Sequence, residues 1–360
     1  MVDEMKNKSK AMADEALFML MNYPRYSFLE RSKRFLRRAA GRKVEPFDRL
    51  NWPTGLLANA LMAYYSNNLS SEISLVIKQN LMKYYMRFIN SRRKILCLDD
   101  ILAGQALIEL HQITGDEKLK GLLDQMVKYL KEHAVDENGS LPYRPAHGNN
   151  HVYADGIGMI CPFLCKYGST YNDADAISLA CKQIKNFFAH GMDSRTGLPY
   201  HGYEAKNQVK HGIIGWGRAC GWLMMGLADS LIFMDKEIAE YDEIKQYFRR
   251  LVDKVEAYQR EDGCYPWQLP AREGPFDTSA TAMILYAIAR GLENDILIGI
   301  HRSRLLRGRE TLIKEVTEGK IYNCQAECGG FGVYPQKYDY YPWVLGPALS
   351  LFSVGIREGL

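Results

Sequence analysis

No stretch of the sequence approaches the roughly 18 to 20 consecutive apolar residues that a membrane-spanning helix needs, so no bilayer-crossing segment is expected. The first residues, Met1 to Lys10, mix acids with bases and show no basic segment followed by an apolar core. That removes the pattern of a secretory leader and points to the cytoplasm. Low-complexity tracts and linkers rich in Pro or Ser are missing, which makes a single domain over 1–360 the simplest organisation. Neither sign of charge dominates: 46 Lys and Arg against 42 Asp and Glu leave +4, too weak a field to imply nucleic acid. The cysteines, at 97, 161, 165, 181, 220, 264, 324 and 328, follow no paired spacing and suit buried, reduced thiols better than a disulfide framework. Cys324 and Cys328 lack a matching Cys or His pair, so no metal site is expected.

What the sequence does have is helical periodicity from end to end, with alternating strand patterns short and rare. Hydrophobic residues at 47% and charged residues at 24% allow a sizeable core, and the periodicity sets an all-α class. Apolar, charge-poor helices are expected to begin near Trp52, Asp99, Asp155, Trp216, Asp277 and Trp343. Each start has a small residue within its first turns: Gly55, Gly104, Gly156, Gly221, Ala280 and Gly346. Six similar starts argue for six similar units. Amphipathic, charge-rich helices are expected between them, at 71–90, 116–133, 172–190, 237–260 and 303–317. Such an alternation buries both helix layers by closing a ring, an (α/α)6 barrel of six inner and six outer helices.

The connections also repeat. Segments 136–143, 193–200 and 261–267 each combine a turn sequence with an aromatic tip. Asp-Gly and Asn-Gly favour tight turns, and the Pro that follows suits extended backbone, so short hairpins are expected there. Each follows an outer helix and precedes an inner one. All therefore project from the end of the ring that carries the inner-helix N-termini, the candidate mouth.

Two carboxylates stand where inner helices begin: Asp155, in Tyr-Ala-Asp-Gly-Ile-Gly-Met, and Asp99, in Leu-Asp-Asp. Asp is a favoured N-cap, and capping accounts for either position. The surroundings of Asp155, with Tyr143, Arg144, His147, His151, Tyr153 and Met159 close in sequence, also suit a carboxyl group doing acid and base chemistry, for which sugars usually meet two carboxyls. Gly215 to Trp222 sets Trp216 and Trp222 around Arg218. Such a Trp pair is either core packing or a platform for sugar faces, with the guanidinium at the helix's positive end placed for an anion. His201 lies in a loop sequence and suits polar contacts.

In order and spacing these motifs resemble the unsaturated rhamnogalacturonyl hydrolases of glycoside hydrolase family 105, relatives of the unsaturated glucuronyl hydrolases of family 88. The match runs through Tyr-Ala-Asp155-Gly-Ile-Gly-Met159, Tyr200-His201-Gly202, Trp216-Gly-Arg218, Gly221-Trp222 and 277–283. Trp52 departs from it, standing where similar proteins carry Tyr in a Trp-x-Tyr-x-x-Gly motif. The resemblance implies that Asp155 is the catalytic acid and base and Asp99 its carboxylate partner. Trp52, Met159, His201, Trp216, Arg218 and Trp222 would contact substrate. The implied substrate is a lyase-generated oligosaccharide of pectin or rhamnogalacturonan type, ending in a Δ4,5-unsaturated uronic acid that is released by hydration of its vinyl ether. No cofactor is implied, and the protein would be a monomer or homodimer. A conventional glycosidase, a sugar epimerase on the same barrel and a non-catalytic carbohydrate-binding protein are the alternatives.

Overall fold

The computed structural model describes residues 2–23, 28–41, 50–69, 72–144 and 150–354. The helices run α1 (Val2–Asn22), α2 (Phe28–Ala39), α3 (Trp52–Asn67), α4 (Glu72–Asn90), α5 (Gly104–Thr114) and α6 (Glu117–Lys131). They continue as α7 (Ala154–Tyr171), α8 (Ala174–His190), α9 (Gly217–Phe233), α10 (Tyr241–Glu256), α11 (Thr278–Glu293), α12 (Arg302–Lys314) and α13 (Pro342–Ser353). The odd-numbered helices from α3 to α13 pack side by side in chain order, and α13 closes back onto α3. Outside them lie α4, α6, α8, α10 and α12, and α1 completes the outer layer against α3, α13 and α4. This is the expected (α/α)6 barrel. Helix α2 stands apart from the alternation and leaves Leu29, Phe35 and Leu36 exposed.

Composition explains the two layers. Inner helix α9 is buried at every position from Gly217 to Leu231, so it can sit only between other helices. Outer helix α10 buries Ile244, Phe248, Leu251, Val252 and Val255 at helical spacing and leaves its charged face to water. Five inner helices begin within one residue of the expected starts. Around Asp99 the chain differs: a 3-10 turn spans Leu98–Asp100 and α5 begins only at Gly104. The Asp100 carboxylate accepts from the Leu96 N–H at 2.9 Å, which ties this turn back on itself before the helix starts.

The connections at the mouth differ in part from expectation. Segments 136–143, 193–200 and 261–267 do turn tightly: Gly139, Gly197 and Gly263 take φ of 76°, 73° and 86°. The Asp136, Asp193 and Arg260 N–H groups donate across these turns to Ser140, Leu198 and Cys264. They hold at most single bridges, such as Met192 to Pro199, because the chain leaves each turn for the barrel wall. Paired strands lie elsewhere. β1 (Val152–Tyr153), β2 (Gly202–Glu204) and β3 (Val209–His211) form one antiparallel sheet, with Val152 opposite Tyr203 and Gly202 opposite His211. Two further antiparallel pairs are β4 (Val316–Thr317) with β5 (Lys320–Ile321), and β6 (Cys324–Gln325) with β7 (Tyr338–Asp339). Among the described residues no helix is long and apolar enough to cross a membrane.

Candidate active site

The inner-helix starts frame a cleft of about 770 Å³ at the mouth, and Trp52, Asp155, Met159, His201, Trp216, Arg218 and Trp222 all line it. Asp99 lies just behind its wall, nearly buried, accepting from the Tyr143 hydroxyl and from Arg144 Nη2. A larger cavity of about 1070 Å³ opens at the C-terminal ends of the inner helices. Its charges are spent on one another, Lys166 with Glu109 and Arg290 with Asp229, and its lining holds no tryptophan.

Asp155 sits in the first turn of α7, one residue past its start. The N-cap is Tyr153, with no side-chain capping bond. Its side chain is 15% exposed, and Oδ2 stands 3.3 Å from His201 Nε2. The sheet explains this closeness, for the Ala154 N–H donates to the His201 carbonyl at 2.9 Å, pinning the loop beside the helix start. His201 is almost fully buried despite its loop position. Trp216 packs at 4.4 Å between ring centres on one side, and Tyr153 at 5.1 Å edge-on. Its Nδ1 is 2.9 Å from the Tyr334 hydroxyl.

Asp99 does not cap a helix either. Burial and the charge of Asp99 push the Tyr143 hydroxyl well above its usual value, so it remains a donor. Tyr143 also reaches the Met159 sulfur at 3.8 Å, so this phenol links the Asp99 pocket to the cleft wall. Of the two arginines lining the cleft, Arg144 is the more accessible, its side chain 38% exposed against 2% for Arg218.

Arg218 is held inside the wall. Its Nη1 and Nη2 donate to the carbonyls of Gln325 and Ala326, each at 2.7 Å, and Asp277 Oδ2 lies 3.6 Å away. The guanidinium stacks over Trp216 at 4.6 Å, and the Trp216 indole donates to Gln325 Oε1 at 3.0 Å. These two residues therefore anchor the loop after β6. Trp222 is buried and meets Trp52 edge-on at 6.2 Å, while Trp52 also lies 5.1 Å from Trp343.

Sequence reasoning missed that loop, 326–337. It brings Glu327, Cys328 and Gly330 to the cleft and Phe331 flat against Tyr153 at 4.2 Å. Burial and the Asp99 charge raise the Glu327 carboxyl above its usual value, against the pull of the Trp52 indole, Arg218 and Arg144. Burial and the Asp155 charge push the Cys328 thiol up to about 12, so it stays neutral. A signal existed in Gly329-Gly330-Phe331-Gly332, a glycine-rich run around one aromatic. His151 packs near His211 and Phe331, whereas His147 lies outside the described residues. All eight cysteines are free.

A closed double ring of helices with carboxylates and tryptophans at one mouth defines a helical barrel of the (α/α)6 class with a cleft suited to sugars. The family model described as Glycosyl Hydrolase Family 88 matches residues 30–356. The chain belongs to that family and is a glycoside hydrolase. Protein Atu3128 of Agrobacterium fabrum is 33% identical over 166 residues, covering 43% of this chain and 70% of that protein. The unsaturated rhamnogalacturonyl hydrolase YesR of Bacillus subtilis is 23% identical over 198 residues, covering 54% of this chain and 58% of its own. A crystal structure of a possible member of the GH105 family from Klebsiella pneumoniae superposes with a TM-score of 0.86 at 16% identity, covering 98% of this chain and 93% of the other.

Proposed function

We propose that the protein removes a Δ4,5-unsaturated uronic acid from the non-reducing end of oligosaccharides left by polysaccharide lyases, those of rhamnogalacturonan type foremost. The observation that carries this reading is the carboxyl group of Asp155, held at the cleft wall beside His201, on which Tyr153 packs edge-on, with a second carboxylate, Asp99, paired behind it with Arg144. The kinship with YesR, named for its unsaturated rhamnogalacturonyl substrate, supports it.

In this mechanism the Asp155 O–H gives its proton to C4, and the C4=C5 electron pair forms the new C–H bond. The positive charge left at C5 is shared with the ring oxygen. Asp155, now a carboxylate, takes a proton from a water molecule whose oxygen bonds to C5, which restores the acid. The hemiketal opens to a C5 ketone, and the hemiacetal freed at C1 collapses to an aldehyde and releases the neighbouring sugar. One water is consumed and the enzyme returns to its starting state, as general acid–base catalysis requires. Trp222 and Trp52 offer apolar faces to the sugar, and Arg144 offers the positive charge for its carboxylate.

The test follows the alkene. Ultraviolet absorbance of the conjugated double bond should fall when wild-type protein meets lyase-treated rhamnogalacturonan. In labelled water the new oxygen should appear at C5 and solvent hydrogen at C4. Asp155→Asn should lose roughly 1,000-fold or more in rate while keeping the wild-type melting curve. An Asp155→Asn protein as active as wild type, or label at C1 with C4 untouched, would refute the mechanism.

A further inference from the structure

We infer that Tyr334 is a positioning residue that fixes the tautomer of His201 and thereby decides which oxygen of Asp155 carries the reactive proton. The inference rests on the hydration reading of the same site and deepens it.

Among the described residues the Tyr334 hydroxyl has two partners. The Ile213 N–H donates to its oxygen at 3.4 Å, and His201 Nδ1 lies 2.9 Å away. A phenol has one hydrogen. The backbone N–H can only donate, so Nδ1 is the one of these two partners able to accept the hydroxyl hydrogen. Burial raises the Tyr334 phenol well above its ordinary value, so that hydrogen stays in place. An Nδ1 that accepts leaves the imidazole hydrogen on Nε2, the nitrogen that faces Asp155 Oδ2 at 3.3 Å. That oxygen is buried and makes no hydrogen bond to the described residues, so a hydrogen on the facing Nε2 is what could satisfy it.

The opposite tautomer would present a bare Nε2 to Asp155. A protonated Asp155 would then turn its own hydrogen toward the imidazole and away from the cleft. With Nε2–H fixed, Oδ2 can only accept, and the acid's proton must sit on Oδ1. The same N–H stabilises the carboxylate once that proton has gone to C4, so one donor serves both halves of the cycle.

Packing gives the imidazole little room for another arrangement. Trp216, Tyr153 and Phe331 enclose the ring with centres at 4.4, 5.1 and 5.2 Å. Gly212, at φ 81°, lets the loop pass so close that a Cβ there would lie 2.5 Å from the Tyr334 hydroxyl and 2.6 Å from His201 Cβ. Tyr334 comes from the loop anchored by Arg218, 133 residues further along the chain than the histidine it touches.

The experiment pairs Tyr334→Phe, which keeps the ring and removes the hydroxyl, with ¹⁵N NMR of histidine-labelled protein. The His201 signals are assigned by their loss in His201→Gln. Wild type should show a hydrogen-bearing Nε2 and a bare Nδ1 at neutral pH, and Tyr334→Phe should show a mixture of tautomers. In the alkene assay kcat should fall roughly 10- to 100-fold, with KM within about twofold of wild type. A wild-type His201 carrying its hydrogen on Nδ1 overturns the inference, as does a Tyr334→Phe protein with unchanged tautomer and kcat. If wild type consumes no unsaturated uronide, the hydration reading fails, and the NMR comparison alone then upholds or rejects the tautomer lock.

Discussion

Asp155 and Asp277 both stand at the beginning of an inner helix, yet their carboxylates meet different surroundings. Asp277 is fully buried and caps α11, accepting from the Ser279 N–H at 3.0 Å and its hydroxyl at 2.7 Å, and from the Gln325 N–H at 3.1 Å. With Arg218 beside it, it is the structural acid that ties the loop after β6 to the barrel. Asp277→Ala should cost about 3–5 kcal/mol in urea denaturation, because it removes a cap and leaves a buried guanidinium short of its counter-charge. A loss under about 1 kcal/mol would mean that Arg218 is satisfied by carbonyls alone. Asp155 forms no such cap, so its carboxyl remains available to the cleft. Arg218 shows the same limit of sequence reasoning in reverse. The Trp-Gly-Arg motif singles it out, but two carbonyls more than 100 residues away in sequence occupy its terminal nitrogens, and the more accessible cation at the cleft is the half-buried Arg144.

At the scale of the element, α7 and α9 meet backbone to backbone. A Cβ on Gly158 would lie 2.5 Å from the Trp222 carbonyl oxygen, and one on Gly226 would lie 3.0 Å from Gly158 Cα. The small residues let two inner helices approach, and the approach sets the depth at which Trp222 enters the wall. Gly158→Ala should therefore destabilise by about 1–3 kcal/mol through overpacking and raise KM more than it lowers kcat. A variant with wild-type denaturation midpoint and KM would show that the contact is slack. The helix starts were legible because Trp, Asp and Gly mark them, and those at α3, α7, α9, α11 and α13 fall within a residue of where the sequence put them. Loop 326–337 was marked in the sequence only by its glycine-rich run around Phe331. It has no periodicity to read, and its side chains reach the site only because β6 pairs with β7 and Arg218 grips the backbone at Gln325 and Ala326.

Across the whole molecule, ring closure stacks six helix pairs so that the outer layer shields the inner one and the turns gather at one end. Some titratable groups are caught in this burial. His133 donates to the Pro142 carbonyl at 2.8 Å, and burial holds its imidazole below the usual value. His151 is lowered in the same way, with His211 adding to the effect. A lowered value means that the native state binds fewer protons than the unfolded chain once pH drops below about 6.5. The stability these groups contribute is complete above that pH and declines as pH falls toward their native values. Urea unfolding at pH 7.5 and 5.5 should show that decline, and His133→Gln, which keeps an N–H for Pro142, should show less of it. Equal declines in both proteins would remove His133 from the account.

The sequence by itself determined the layered helical ring and the end of it where Asp155, His201 and the tryptophans gather. Periodicity, charge-poor runs and helix-start residues are local properties, and each is written within a few turns of chain. Which cation faces the cleft, which carboxylate is structural and which tyrosine meets His201 were decided by tertiary structure alone. Those pairings depend on backbone carbonyls and hydroxyls brought together from distant segments, whose directions are set only when the ring has closed.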